Sequence, residues 1–399
     1  RIINHKSHDM FTGRSSFIFV LGLFLGIPAM AQEFSESLTS ELTSHYSASD
    51  LPGFSVAIVS EQNVLYKNSF GFANKENQSK FETTTIQNLG SVSKTIVGLA
   101  LVKAIEEGKL TMDTEIKDIL PFVVVNPYFE DDPILIRHLA NHTSGILDTK
   151  NYGKTYILDD SFIENENIHQ DFLGFLKSHP PMELKDFLFN ILNKDGDWYR
   201  KKNFLKAKPC AQQSYANLNA ALVAYIISLA TKTPFEEYPR TRIFEPLGMR
   251  FTSWHIDKEN QGAMATLYFP AGKQVPAYRL ITYPDGGLLS NAEDLSIFLR
   301  EMIKAYSGNS TYLEPEYAQI MLPGDQDTNR AFWGMGEKSR NIGHGGRDPG
   351  VQTDLQFNAD SKIGRIILTN VNAEDNETLW NQYREIHDIL AQYEKKLND

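Results

Sequence analysis

Ser91 and Lys94 stand three residues apart at the head of an apolar segment, in Ser91-Val92-Ser93-Lys94. Residues at i and i+3 share a helix face, so a helix here brings the lysine to the serine hydroxyl. A helix start also aims free backbone N–H groups at whatever the serine attacks. Such a pair can act as an activated nucleophile. Ser-x-x-Lys alone is weak, since a chain of this length and serine content contains it about once by chance. The context strengthens it: Val92, Ile96, Val97, Leu99, Leu101, Val102 and Ile105 are apolar nearly all round, which predicts a buried helix ending at Gly108. An apolar surround favours a lysine's uncharged amine; the alternative is a helix-start lysine that snorkels to solvent.

Tyr215-Ala216-Asn217 precedes a second apolar helix, Leu218 to Ala230, and two residues of an extended turn project to one side. A functional phenolate there needs a cation nearby, which Lys94 would supply. Tyr66-Lys67-Asn68 has the same pattern but lies in an early strand, so Tyr66 is taken as an ordinary strand tyrosine. His344-Gly345-Gly346 follows a short strand, Asn341 to Gly343, and precedes Arg347. Glycines let a substrate backbone lie against a strand edge, and an amide of this strand could complete an oxyanion hole with the Ser91 amide. The alternative is a glycine-rich hairpin with an exposed histidine.

The elements that must position these residues run strand, helix, strand. A short amphipathic helix (Phe34, Leu38, Leu42) leads into strands Phe54 to Val59 and Val64 to Tyr66 around a turn at 61–63. The chain is then mainly helical to about residue 305, with strong segments at Leu218 to Ala230 and Asp294 to Ala305. Strands return at Phe332 to Glu337, Asn341 to Gly343, Val351 to Phe357 and Ile363 to Leu368. A last helix aligns Leu379, Trp380, Tyr383, Ile386, Leu390 and Tyr393 on one face. The fold class is α/β of the α+β type: one antiparallel sheet made by both ends of the chain, flanked by helices, with an inserted mainly helical lobe. The sheet lobe spans about 32–90 and 325–399 and the helical lobe about 91–324, as a single domain with the site in the cleft between them.

Residues 1–31 read as a leader and secretion signal: Arg14, an apolar run from Phe17 to Ile27, and Ala29-Met30-Ala31 as a small-x-small cleavage site before Gln32. The run is short for a membrane span, so a removed signal and no membrane anchor are expected, placing the protein in the periplasm or medium. The leader carries three basic residues against one acid, leaving the remainder near −13, which disfavours nucleic acid as a partner. Cys210 is the single cysteine, so no internal disulfide forms. The histidines have no metal-ligand spacing, and neither metal nor cofactor is expected.

The order Ser91-x-x-Lys94, Tyr215-x-Asn217, His344-x-Gly346 resembles the three-motif signature of the serine β-lactamase and penicillin-binding-protein superfamily, in its class C-like branch. The flanks agree: 89–95, Ile136-Arg-His-Leu-Ala-Asn-His-Thr-Ser-Gly145, 244–249, 286–290 and 343–346 resemble that family's recurrent stretches in order, over roughly residues 50 to 372. The resemblance implies a β-lactamase/transpeptidase-like fold and an acyl-serine mechanism. Ser91 attacks an ester or amide carbonyl, and Tyr215 as phenolate or Lys94 as amine takes its proton. Asn217 holds Lys94 and the substrate, His344 supports Tyr215 or the leaving group, and the amides of Ser91 and Arg347 form the oxyanion hole, with Gly345, Gly346 and Arg347 against the substrate. His344 stands where the family's efficient β-lactamases favour lysine, which points to D-specific peptidases and esterases. Pro209-Cys210 replaces a Pro-Gly of many relatives, and Cys210 is expected to be a small packed residue, the alternative being a second nucleophile. The stretch 148–208 should form helices over the cleft, its Arg200-Lys201-Lys202 a solvated face or a recruiter of anionic substrates. The leading reading is an exported serine hydrolase on small esters or D-amino-acid-containing peptides. The alternatives are a DD-carboxypeptidase or weak β-lactamase, and a non-catalytic peptidoglycan- or peptide-binding protein.

Overall fold

The computed structural model describes residues 26–255, 260–325 and 327–398. The expected leader falls largely outside them: residues 1–25 are not described, and helix α1 (Gly26–Ala48) starts the described chain. Eight strands form one antiparallel sheet: β1 (Gly53–Val59), β2 (Val64–Asn74), β3 (Ser79–Lys80), β4 (Asn329–Arg330), β5 (Trp333–Met335), β6 (Asn341–Asp348), β7 (Val351–Asn358) and β8 (Gly364–Thr369). Their order is β3-β2-β1-β8-β7-β6-β5-β4, so the two ends of the chain meet where β1 pairs with β8, Phe54 opposite Thr369 and Val59 opposite Gly364.

β1 is buried along its whole length, which is why Phe54-Ser-Val-Ala-Ile-Val59 is a continuous rather than an alternating apolar run. Its period of two still sorts the layers. Phe54, Val56 and Ile58 join Leu38 and Leu42 of α1 and the expected face of helix α5 (Glu377–Asn398): Leu379, Tyr383, Ile386, Leu390 and Tyr393. Ala57 and Val59 belong to the main core on the other face, with helices α2 (Ser93–Glu106), α3 (Asn217–Thr231) and α4 (Ala292–Ser307). α2 is buried from Ser93 through Ala104 except at Lys103, and Gly108 beyond it adopts a left-handed φ of 67°.

Three expectations are corrected. α4 lies on the sheet, not in the inserted lobe: a Cβ on Gly364 of β8 would come within 2.6 Å of the Leu299 side chain, so a lobe boundary near residue 324 cuts through this packing. Phe332 to Glu337 is not one strand, because Ala331 and Phe332 turn with positive φ (39° and 67°) and join β4 to β5 as a hairpin. The strand at Asn341 does not stop at Gly343; β6 pairs with β7 through Asp348. The stretch 148–208 does contain helices, Gln170–Lys177 and Leu184–Leu192, and adds a strand, Tyr156–Leu158, paired with Tyr278–Leu280. Tyr66 is an ordinary strand tyrosine of β2, its hydroxyl 2.9 Å from Thr39 Oγ1 of α1.

Candidate active site

A one-turn 3₁₀ segment, Gly90–Val92, feeds directly into α2 and presents Ser91 half-buried at the helix head. The turn sits close to β6. Gly90 has φ 55°, and a Cβ there would reach within 2.8 Å of the Arg347 amide nitrogen. Gly346 is needed for the same approach, since its Cβ would overlap Leu89 O and Thr353 Oγ1. Thr353 of β7 locks the contact by donating to Leu89 O at 2.7 Å. β6 pairs with β5 only at Ile342 and Gly343, so from His344 onward its second edge is not paired with a neighbouring strand and faces the nucleophile turn.

Lys94 is fully buried. Its Nζ lies 3.0 Å from Ser91 Oγ, donates to Asn217 Oδ1 at 2.7 Å, and donates to the main-chain oxygen of Asp285. The apolar surround expected for Lys94 is what it has, and the alternative, a snorkel to solvent, does not occur. Tyr215 is 49% exposed, and its hydroxyl is 2.9 Å from Ser91 Oγ. Ser91 Oγ is thus within hydrogen-bond reach of both candidate proton acceptors. The His344 ring centroid is 6.0 Å from that of Tyr215, and its Nδ1 contacts Gly345 O at 2.6 Å. Since a carbonyl only accepts, Nδ1 carries the hydrogen. Burial, and then the charge of Lys94, lower the His344 pKa to about 4. Gly345 offers no side chain, and the Arg347 guanidinium turns away to Glu374 (2.7 Å) and Asp375 (2.9 Å), leaving only its backbone for the site.

Four further residues that motif reading passes over complete the arrangement. Asp148 caps α3 from outside, accepting from the amides of Asn217 (2.6 Å) and Leu218 (3.2 Å), and so fixes the turn that carries Tyr215 and Asn217. Burial raises its pKa, against those two amide bonds. His142 stacks on Tyr215 at 4.5 Å and accepts the Ala216 amide on Nδ1; burial, then Lys94 and His344, hold it down to about 3. This gives the stretch Asn141 to Gly145 a physical task, because His142 O and Thr143 O also accept the amides of Ser214 and Cys210. Asp285 and Asp348 are buried near Lys94, their Oδ1 atoms accepting from Tyr152 (2.9 Å) and Tyr156 (2.6 Å). Burial first pushes both carboxyls up to about 7.

Cys210 is corrected: it is exposed, in a left-handed turn with φ 74°, where glycine would sit without strain. Arg200, Lys201 and Lys202 form a solvated face, and Lys208 pairs with Asp132 at 3.2 Å.

A profile of the Beta-lactamase family matches residues 39–388. The chain is 21% identical over 365 residues to Protein flp of Staphylococcus aureus (strain N315), covering 87% of this chain and 67% of that protein. It is 24% identical over 349 residues to a penicillin-binding-protein relative, PbpX of Bacillus subtilis (strain 168), covering 85% and 76%. Among solved structures, the octameric penicillin-binding protein homologue of Pyrococcus abyssi shares the fold with a TM-score of 0.62 at 24% identity, covering 84% of this chain and 73% of that one. The Beta-Lactamase/D-Alanine Carboxypeptidase of Pseudomonas syringae gives 0.62 at 17%, covering 91% and 99%. The chain belongs to the Beta-lactamase family, within the serine β-lactamase and penicillin-binding-protein superfamily, a membership that supports serine hydrolysis through an acyl-enzyme.

Proposed function

We propose that the protein is an exported serine hydrolase that cleaves small esters, or amide bonds of D-amino-acid-containing peptides, through an acyl-Ser91 intermediate. The observation that carries this reading is the reach of Ser91 Oγ to Lys94 Nζ and Tyr215 Oη together, at 3.0 and 2.9 Å. Asn217 Oδ1 and Asp285 O engage two of the three positions on the Lys94 nitrogen, and the third faces Ser91. As a free amine, Lys94 therefore directs its lone pair at the hydroxyl and takes its proton while Oγ bonds to the carbonyl carbon. The oxyanion falls to the amides of Ser91 and Arg347. Lys94 is sealed from the cleft and cannot meet the departing atom; the half-exposed Tyr215 can. Tyr215 protonates the leaving oxygen or nitrogen as its bond to the acyl carbon breaks, which leaves Tyr215 as phenolate and Lys94 as ammonium. Tyr215 then takes a proton from the attacking water, and Lys94 returns its proton to Ser91 Oγ as the acyl-serine bond breaks.

The alternative of a non-catalytic binding protein leaves unexplained a buried lysine aimed at a half-exposed serine. The test is hydrolysis of a short chromogenic acyl ester by protein starting at Gln32, beside a folded Ser91→Ala variant. Turnover lost in the variant supports the reading; equal turnover, or none in either, removes Ser91 as the nucleophile for simple esters.

A further inference from the structure

Beside Tyr215 and His344 lies a cavity of about 270 Å³, walled by the rings of Phe332 and Trp333, by Gly334, Gly343 and Gly345, and at its rim by Gln213 and Asn329. Tyr215 is the proton donor to the departing atom in the mechanism above, so the group that departs sits against this wall. The other direction along β6, past the Arg347 amide, is left for the acyl part. The volume lies just under the range of about 300–1,000 Å³ that holds drug-sized ligands, so it fits one ring or a short chain.

Among the described residues, the wall carries no lysine, arginine, aspartate or glutamate. Besides Tyr215 its titratable groups are two histidines: His142 accepts an amide hydrogen on Nδ1, which only the uncharged ring does, and His344 spends its Nδ1 hydrogen on Gly345 O while burial and Lys94 disfavour its cation. The neighbouring cations are committed elsewhere. Lys94 is buried behind Ser91, and Arg347 is paired with Glu374 and Asp375. Gly345 has no hydroxyl to offer an anion. A carboxylate placed here would lose its hydration with nothing to replace it.

We infer that this cavity is the leaving-group subsite, and that it selects uncharged leaving groups, apolar or aromatic, against those bearing a carboxylate. Peptides that would release a free amino acid are therefore poor substrates and neutral esters good ones. This rests on the acyl-serine reading and sharpens it.

The test compares phenyl butanoate with 4-carboxyphenyl butanoate, which share one acyl group and differ by one carboxylate on the leaving ring. The expected kcat/KM is about tenfold or more lower for the carboxylate ester. Asn329→Lys should narrow the ratio by about tenfold, chiefly through KM of the carboxylate ester. Gln213→Lys, at an exposed position on the same rim, serves if the first variant fails to fold. Equal rates on both esters, or preference for the carboxylate, overturn the inference while leaving acyl-serine chemistry standing. A wild-type preference that neither lysine variant narrows overturns the assignment to this cavity. Cleavage of neither ester, with Ser91 unacylated, overturns the acyl-serine reading and this inference with it.

Discussion

Ser91, Lys94 and Tyr215 divide the proton's path by exposure. Lys94 is sealed and Tyr215 is open, so they should fail differently when changed. Tyr215→Phe keeps the ring that stacks on His142 and removes only the hydroxyl. It should lower kcat by about 10²–10⁴-fold with KM little changed, read by steady-state kinetics on a neutral ester. A matched loss in kcat with a basic leaving group but not with nitrophenolate would locate the defect in leaving-group protonation. His142 and His344 make a second residue-scale prediction. Both pKa values lie below the unfolded value of about 6.5, near 3 and 4, because burial disfavours the imidazolium and Lys94 adds repulsion. The unfolded chain therefore binds more protons than the native one below pH 6.5, and stability falls with pH from there toward 3. Nuclear magnetic resonance of the two rings should show no titration between pH 5 and 8.

Elements hold the site through close backbone approach, and two glycines make that approach possible. Gly346→Ala puts a Cβ onto Leu89 O and Thr353 Oγ1, so the nucleophile turn must move off β6. The oxyanion amides separate, and kcat should fall by about 10²–10³-fold in kinetic measurements, with the fold retained. Asp148→Ala removes the external cap of α3, which should cost about 1 kcal/mol in denaturant unfolding and loosen Tyr215 and Asn217. At this scale the limits of the sequence are physical. Ser91, Lys94, Tyr215, Asn217 and His344 were legible because each motif is local: a helix turn, a helix start, a strand edge. Asp148, His142, Asp285 and Asp348 act across 69 to 192 residues of chain, and no spacing announces such contacts. The strands were legible from their apolar runs, but β6 was cut short because glycines carry no hydropathy signal, and the β4–β5 turn was missed because Ala331 and Phe332 are not turn formers.

Across the whole molecule, both ends of the chain close one sheet, and α1 packs with α5 behind it. Leu42 of α1 is fully buried in that layer. Leu42→Ala should cost about 2–5 kcal/mol in denaturant unfolding while leaving the geometry around Ser91, on the other face, intact. The buried carboxyls give the molecule a pH signature of its own. Asp285 and Asp348 are raised to about 7, mainly by burial, so the native state binds more protons than the unfolded state between about pH 4 and 7. Their contribution to stability is present at low pH and is lost as pH rises through that window. Asp285→Asn should therefore gain in Tm relative to wild type as pH goes from 4 to 8, and a pH-independent Tm gap would contradict the raised values.

The most direct test of acyl transfer through Ser91 is intact-protein mass after brief exposure to an activated ester that deacylates slowly, followed by peptide mapping. One added acyl group on the peptide containing Ser91, absent in Ser91→Ala, is the predicted result. An adduct on any other residue, or ester turnover at the wild-type rate in Ser91→Ala, would contradict it.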